Sequence, residues 1–329
     1  MNDINRYYYG FDYLRAILPF FVIAIHTRFV SAYGNLFSDG RAGINIFDVV
    51  QYNLLILAVP SFFIISLFLF FKKKQTSKKE DIARIYKLFV LYVFWMSLWV
   101  LIKKPPHPSD ISHAVMFMVR GGNSIFYYFF TLIILTAISI FVKKIKIKFI
   151  WFLAVFSLIS INGLFPLLNM YDVSYKYLVA YWNPMLFIPC VFAARLIVFY
   201  EEEIRTSKKY LMTLFLCFLV LSIIEWLTLI HPHHKLIVAT EMPSYARVSP
   251  ILGASLLVLL SMKVKEKPAA IIMFLSSASL GMYCVHPFLL IHFNFIWHSG
   301  RSGLYFFVIS SMSLVVTYVL KIITRERLI

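Results

Sequence analysis

FDYLRAILPFFVIAIHTRFV, residues 11–30, is apolar for long enough to begin crossing a bilayer, yet it carries Asp12 and Arg15 at one end and His26 deep inside. A helix turns about 100° per residue, so the step from Arg15 to His26 makes three turns plus about 20°. Both side chains therefore share one face, about 16 Å apart along the axis. An ionisable group at lipid depth costs at least about 2.5 kcal/mol, which drives it toward a protein interior or a watery cavity. The polar face of this first helix is a candidate active-site wall.

Outward from that stretch the chain stays apolar. Its 329 residues are 61% hydrophobic and 14% charged, whereas soluble domains carry about 25% charge. Segments able to span a bilayer need about 20 predominantly apolar residues. By that measure they fall at about 12–30, 47–71, 86–102, 124–142, 149–168, 178–200, 210–230, 247–262, 270–296 and 303–323. The expected fold is all-α: a polytopic membrane protein of about ten transmembrane helices, forming a single membrane-embedded domain over 1–329. The first segment lacks a small-residue cleavage site and is followed by further spans, so it reads as a retained signal-anchor.

The formal charge of +17 does not point to nucleic acid, because the Lys and Arg sit in short clusters between apolar spans. Lys72, Lys73, Lys74, Lys78, Lys79, Arg84 and Lys87 follow the second span. Lys143, Lys144, Lys146 and Lys148 follow the fourth, and further clusters follow the sixth, eighth and tenth. This pattern matches the positive-inside rule and contact with anionic lipid headgroups. It places both termini in the cytoplasm, Arg15 near the cytoplasmic surface, and His26 toward the outside. Cys190, Cys217 and Cys284 lie within apolar runs and read as small apolar residues, not as a disulfide or metal framework. His231, His233 and His234 cluster in an outer loop without Cys or carboxylates nearby, so no metal is expected.

Several side chains in these spans are able to carry chemistry. A neutral His26 imidazole accepts a proton from a hydroxyl; its alternative is a packing hydrogen bond to a neighbouring helix. Arg15 holds a permanent charge and a planar fork for phosphate or carboxylate, with snorkelling to headgroups or an i,i+3 pair with Asp12 as the alternatives. Pro19 frees the Arg15 carbonyl and bends the helix beside it. In 276–289, SSASLGMYCVHPFL, His286 lies deep in the ninth span before Pro287, and the small residues ahead of it admit a close helix neighbour. Ser66 interrupts an aromatic run, with back-bonding to its own helix as the plain reading. Glu225 is either a proton-relay group or a solvated helix end, and Arg195 an anchor or a phosphate ligand. The segment 109–120 reads as a short interfacial amphipathic helix capped by Ser or Asp.

Together these segments resemble the acyltransferase-3 family of integral membrane O-acyltransferases, which modify bacterial surface glycans. Asp12-x-Leu14-Arg15 followed by His26 is similar to that family's opening pattern, and VPSFFIIS (59–66) to its second-span motif, with Leu67 where glycine is common. KEDIARIYK (79–87) resembles its basic cytoplasmic motif around Arg84, with Lys87 in place of a proline. SLGMYCVHP (279–287) is similar to its late His-Pro segment. The fourth span departs, since IFYYF (125–129) lacks a tryptophan.

The resemblance implies transfer of an acyl group, usually acetyl from cytoplasmic acetyl-CoA, to a sugar hydroxyl of a surface polysaccharide or lipid-linked glycan. The setting it implies is the bacterial inner membrane. His26, Arg15 and His286 are then the expected catalytic residues, and Arg15, Arg84 and Ser66 the expected donor-binding ones. Outer-loop Tyr33, Tyr171, Tyr175 and Tyr245 suit stacking on sugar faces. No esterase-like domain is expected after the tenth span, and the membrane unit is expected to finish the chemistry. A transporter of glycans or lipid-linked sugars also needs buried Arg and His and kinked spans. It would move substrate without consuming acyl-CoA, and a non-catalytic partner of a polysaccharide synthase would tolerate His26→Ala. A homo-oligomer stays open.

Overall fold

The computed structural model describes residues 7–29, 46–73, 77–104, 110–171, 177–225, 244–298 and 301–324, and every regular element among them is a helix. In order these are α1 (Tyr9–His26), α2 (Ile46–Asn53), α3 (Ala58–Lys72), α4 (Lys78–Lys103) and α5 (Ile111–Val119). Then come α6 (Tyr127–Val142), α7 (Ile147–Ile159), α8 (Phe165–Tyr171), α9 (Ile188–Phe199) and α10 (Glu201–Thr206). The last are α11 (Lys208–Glu225), α12 (Val248–Ser261), α13 (Ala270–His292), α14 (Asn294–His298) and α15 (Ser302–Thr324). Val50–Lys72, Lys78–Lys103, Ile147–Leu168, Ala270–His292 and Ser302–Thr324 are long and apolar enough to cross a bilayer. Tyr127–Val142, Pro184–Phe199 and Val248–Ser261 are shorter apolar helices. Two of the predicted spans, α1 and α11, carry charges within their length.

Polar contacts sort the helix ends into two sets. At one end Tyr8, before α1, donates to Glu201 Oε1 (2.6 Å), and Lys72 at the end of α3 pairs with the same carboxylate. Lys143, after α6, pairs with Asp81 near the start of α4 (3.0 Å), and Trp151 early in α7 donates to Tyr200 after α9 (3.1 Å). At the other end Trp99, late in α4, donates to the Gly122 carbonyl (3.1 Å). Tyr283, late in α13, donates to the Ile125 carbonyl before α6 (2.9 Å). There too Asn162, between α7 and α8, donates to the carbonyls of Leu186 (3.4 Å) and Tyr245 (3.3 Å). These contacts run the predicted spans back and forth, as alternating crossings require, because each backbone satisfies its own hydrogen bonds and only the ends need outside partners.

α1 and α13 run in the same direction, since Ser276 donates to Asp12 at one level (2.8 Å) and the His286 ring meets the His26 ring at a higher one. An even number of reversals between the first and ninth predicted spans demands this. The small residues explain the close fit: Ser276, Ala278, Ser279 and Gly281 are all buried on α13. Asp12 therefore bonds to α13 and makes no ion pair with Arg15. α3 and α13 pass through the centre of the bundle, whereas α4 and α15 are peripheral and turn apolar residues such as Phe89, Leu101, Phe307 and Ile322 outward. In a bilayer these outward residues meet acyl chains.

Gly10 marks the closest backbone approach. A Cβ there would lie 1.6 Å from the Ser261 carbonyl oxygen at the end of α12. Backbone cannot step aside as a side chain can, so Gly10→Ala is expected to destabilise the bundle by at least about 2 kcal/mol. The check is the thermal midpoint of the detergent-solubilised protein, and an unchanged midpoint would contradict this packing.

The structure settles other expectations. The helix foreseen in 109–120 is α5, with no buried residue and with Asp110 as N-cap, its Oδ1 accepting from the His113 amide (2.8 Å). Those bonds, the His113 amide first, hold the Asp110 carboxyl below its ordinary range. Glu225 is not a solvated helix end. It is buried and accepts from the amides of Val248 (2.8 Å) and Ser249 (3.2 Å) and from the Ser249 hydroxyl (2.5 Å), capping α12. Arg247 faces the same carboxylate (3.7 Å) and donates to Asn53 Oδ1 (3.2 Å) and the Tyr52 carbonyl. A helix N-terminus needs an acceptor for its free amides, and a carboxylate from α11 fills that need. Cys190 and Cys284 are buried as expected, while Cys217 faces outward from α11. Tyr33, Tyr175, the His231, His233 and His234 cluster and both chain termini lie outside the described residues, as does the side chain of Tyr171.

Candidate active site

His26 and His286 come together at the end of the bundle away from the lysine clusters. Their ring centroids are 5.3 Å apart, and the rings are tilted by 36°. α1 ends at His26, whose side chain is exposed and makes no hydrogen bond among the described residues. His286 is fully buried behind it. Its Nδ1 lies 3.2 Å from the Met282 carbonyl oxygen, one turn back on α13. A carbonyl only accepts, so Nδ1 carries the proton in this contact and Nε2 is left as an acceptor. Nε2 is buried without a partner. An unmet acceptor at such depth costs about 1–3 kcal/mol, and a donor group brought by His26 or by a substrate hydroxyl would relieve it.

Arg84 and Ser66 meet at the opposite end. The Arg84 guanidinium donates to Ser66 Oγ (2.9 Å) and to the Ser66 carbonyl (3.1 Å), tying the start of α4 to α3. Ser66 is thus an acceptor for arginine, in place of the back-bonding that its own helix predicts, and stands beside Arg84 as the resemblance implies. Cations gather on the aromatic residues at this end. Arg84 lies 5.0 Å and Lys143 3.6 Å from the Phe70 ring, and Arg195 lies 5.8 Å from Phe71. Asp81 and Glu201 are engaged by lysines. Arg15, Arg84 and Arg195 make no ion pair among the described residues, and Arg84 Nε and Arg195 Nε are buried without an acceptor. Three guanidiniums with unspent donors suit a polyanionic group.

Tyr128 and Tyr283 connect the two ends. The Arg15 and Arg84 guanidiniums both lie within electrostatic reach of the Tyr128 phenol. The Tyr128 ring lies 5.1 Å from Tyr283, the Tyr283 ring 5.9 Å from His286, and His286 5.3 Å from His26. Sequence reading singled out the four ends of this line but not Tyr128. Its signal was the aromatic run at 125–129, which has no polar partner in sequence to mark one tyrosine above another. Tyr127, its neighbour, meets Tyr181 (5.3 Å) and lies beside Tyr245, the one outer-loop tyrosine of the expected acceptor site whose side chain is described. No group of three or more His, Cys, Asp or Glu able to hold a metal occurs among the described residues.

A family model described as an acyltransferase domain matches residues 8–322, nearly the whole chain. No curated protein matches the chain, and no solved structure does.

Proposed function

Taking as premise that the chain belongs to the acyltransferase-3 family and is a membrane acyltransferase, we propose that it moves an acyl group, acetyl in the first instance, from acyl-CoA to a sugar hydroxyl of a surface glycan or lipid-linked glycan. The observation that carries this reading is the row of rings from Tyr128 through Tyr283 to His286 and His26, with the Arg84 and Arg15 guanidiniums in electrostatic reach of Tyr128. It joins an anion-binding end to a proton-accepting end within one bundle. The ten-span layout, with cytoplasmic termini in a bacterial inner membrane, puts the arginine end toward the donor and the histidines toward the acceptor. The alternating helix ends and the lysine clusters support it.

In the proposed reaction the sugar oxygen attacks the acyl carbonyl carbon while His26 takes the hydroxyl proton. The carbon–sulfur bond breaks, and the proton passes from His26 to the departing thiolate. His286 positions the His26 ring by accepting its N–H at the unmet Nε2, which leaves the other His26 nitrogen free for the hydroxyl proton. Arg84, held by Ser66, and Arg15 grip the phosphates of the donor, and its pantetheine arm follows the tyrosines toward the histidines. The arginines' fork is the part that a lysine cannot reproduce. Arg15→Lys and Arg84→Lys are each expected to raise the donor KM about tenfold and to move the acceptor KM much less. Equal shifts in both constants would show that the arginines do not hold the donor.

The reading is tested by mass spectrometry of surface glycans from cells with and without the protein. A gain of about 42 Da per modified sugar identifies acetyl and about 100 Da succinyl. Glycans identical in both strains, with sugar transport lost in the strain lacking the protein, would favour the transporter reading instead.

A further inference from the structure

Arg120 is a cation that the proposed reaction does not use. It closes the C-terminus of α5, at the same end of the bundle as the histidines. Its guanidinium carbon lies over two aromatic rings, 5.0 Å from the centroid of Trp182 and 5.5 Å from that of Tyr177. Its guanidinium makes no ion pair or hydrogen bond among the described residues, and Nε is buried without an acceptor. Ring contact occupies the faces of a guanidinium and leaves its N–H groups, which lie in the plane, for a ligand.

The platform around Arg120 is held in shape. Asn183 Nδ2 donates to the carbonyls of Tyr177 (3.2 Å) and Leu178 (2.9 Å), and its Oδ1 accepts from the Met185 amide (3.0 Å). One side chain thereby closes the 177–185 turn and sets Trp182 and Tyr177 on Arg120. The platform is continuous with the catalytic end. Tyr181 lies in the field of Arg120 and meets Tyr127, which is a neighbour of Tyr283, and the Tyr283 ring contacts His286. Aromatic faces suit sugar rings, and an arginine fork suits a carboxylate or phosphate.

Building on the acyltransferase reading, we infer that the acceptor is an acidic glycan, and that Arg120, seated on Trp182 and Tyr177, binds a carboxylate or phosphate carried beside the sugar whose hydroxyl is acylated. The charge is read away from the reacting atom, so Arg120 acts on acceptor affinity. Tyr181, 44% exposed, supplies stacking surface near it.

The test is equilibrium binding to the full-length protein in nanodiscs of neutral lipid. Two acidic probes are compared with uncharged counterparts: a glucuronate-containing hexasaccharide with its carboxyl-reduced form, and a glycerol-phosphate-bearing oligosaccharide with its dephosphorylated form. At least one acidic probe is expected to bind about tenfold or more tighter than its counterpart. Arg120→Gln should erase that preference, and Arg120→Lys should keep only part of it. Melting curves identify a misfolded variant, in which case the lysine variant decides. Equal binding of acidic and neutral probes, or a preference surviving in Arg120→Gln, overturns the inference. So does a preference that vanishes when phosphatidylglycerol is added to the discs, since Arg120 would then be a headgroup ligand. His26-dependent release of free thiol from acyl-CoA by the same preparation reports separately on the acyltransferase reading, so the two can fail independently.

Discussion

His26→Ala is expected to lower acyl transfer about 10²- to 10⁴-fold, the span that a positioned general base supplies, while leaving the protein folded. Both halves follow from the structure. The His26 side chain is exposed at the end of α1 and makes no hydrogen bond among the described residues, so its removal opens no cavity in the core. It is also the accessible partner of the buried His286 ring, 5.3 Å away. His286→Ala should likewise cost activity, together with some stability, because its ring fills space inside the bundle. Transfer is measured as acyl-CoA-dependent thiol release and as acyl content of the glycan, and folding as monodispersity and thermal midpoint. If His26→Ala keeps more than about a tenth of wild-type transfer, His26 is not the base.

Glu225→Ala is expected to destabilise the protein by about 3–5 kcal/mol, the cost of removing one partner from a buried ion pair. The carboxylate accepts the amides that open α12 and faces the fully buried Arg247. Its loss leaves a guanidinium without the charge opposite it, in a place where water cannot take over. Glu225→Gln keeps an acceptor for the Val248 and Ser249 amides but no charge, and should fall between wild type and alanine. Thermal or denaturant unfolding in detergent separates the three. Equal stability of all three would mean that water or lipid headgroups, and not Glu225, satisfy this helix end.

The helices themselves were legible in the sequence, because run length and the 3.6-residue period are local properties of the chain. The reversal of direction from span to span was legible in the lysine clusters. Single side chains were harder to read. Glu225 looked like a relay or solvated group because nothing nearby in sequence shows that Val248 and Ser249 need an acceptor. Ser66 looked like a back-bonding serine because Arg84 lies on the next helix. Asp12 and Arg15 sit at pairing distance along α1, yet Ser276 of α13 takes the aspartate. Tyr128 has no mark in the sequence, and only the fold brings it within electrostatic reach of Arg15 and Arg84.

The sequence alone thus determined an all-helical membrane chain whose first helix carries Arg15 and His26 on its polar side, and the motifs that resembled an acyltransferase. Only the tertiary structure decided which helices lie side by side, and with that the His26–His286 pair, the Arg84–Ser66 contact and the line of tyrosines between them. The physical reason is that apolar helix faces are nearly interchangeable in a bilayer, where lipid tails are as apolar as leucine. Neighbours are chosen by what lipid cannot supply. In this bundle these are the close approach allowed by Gly10 and by Ser276, Ala278, Ser279 and Gly281, and the hydrogen bonds that buried polar groups must find.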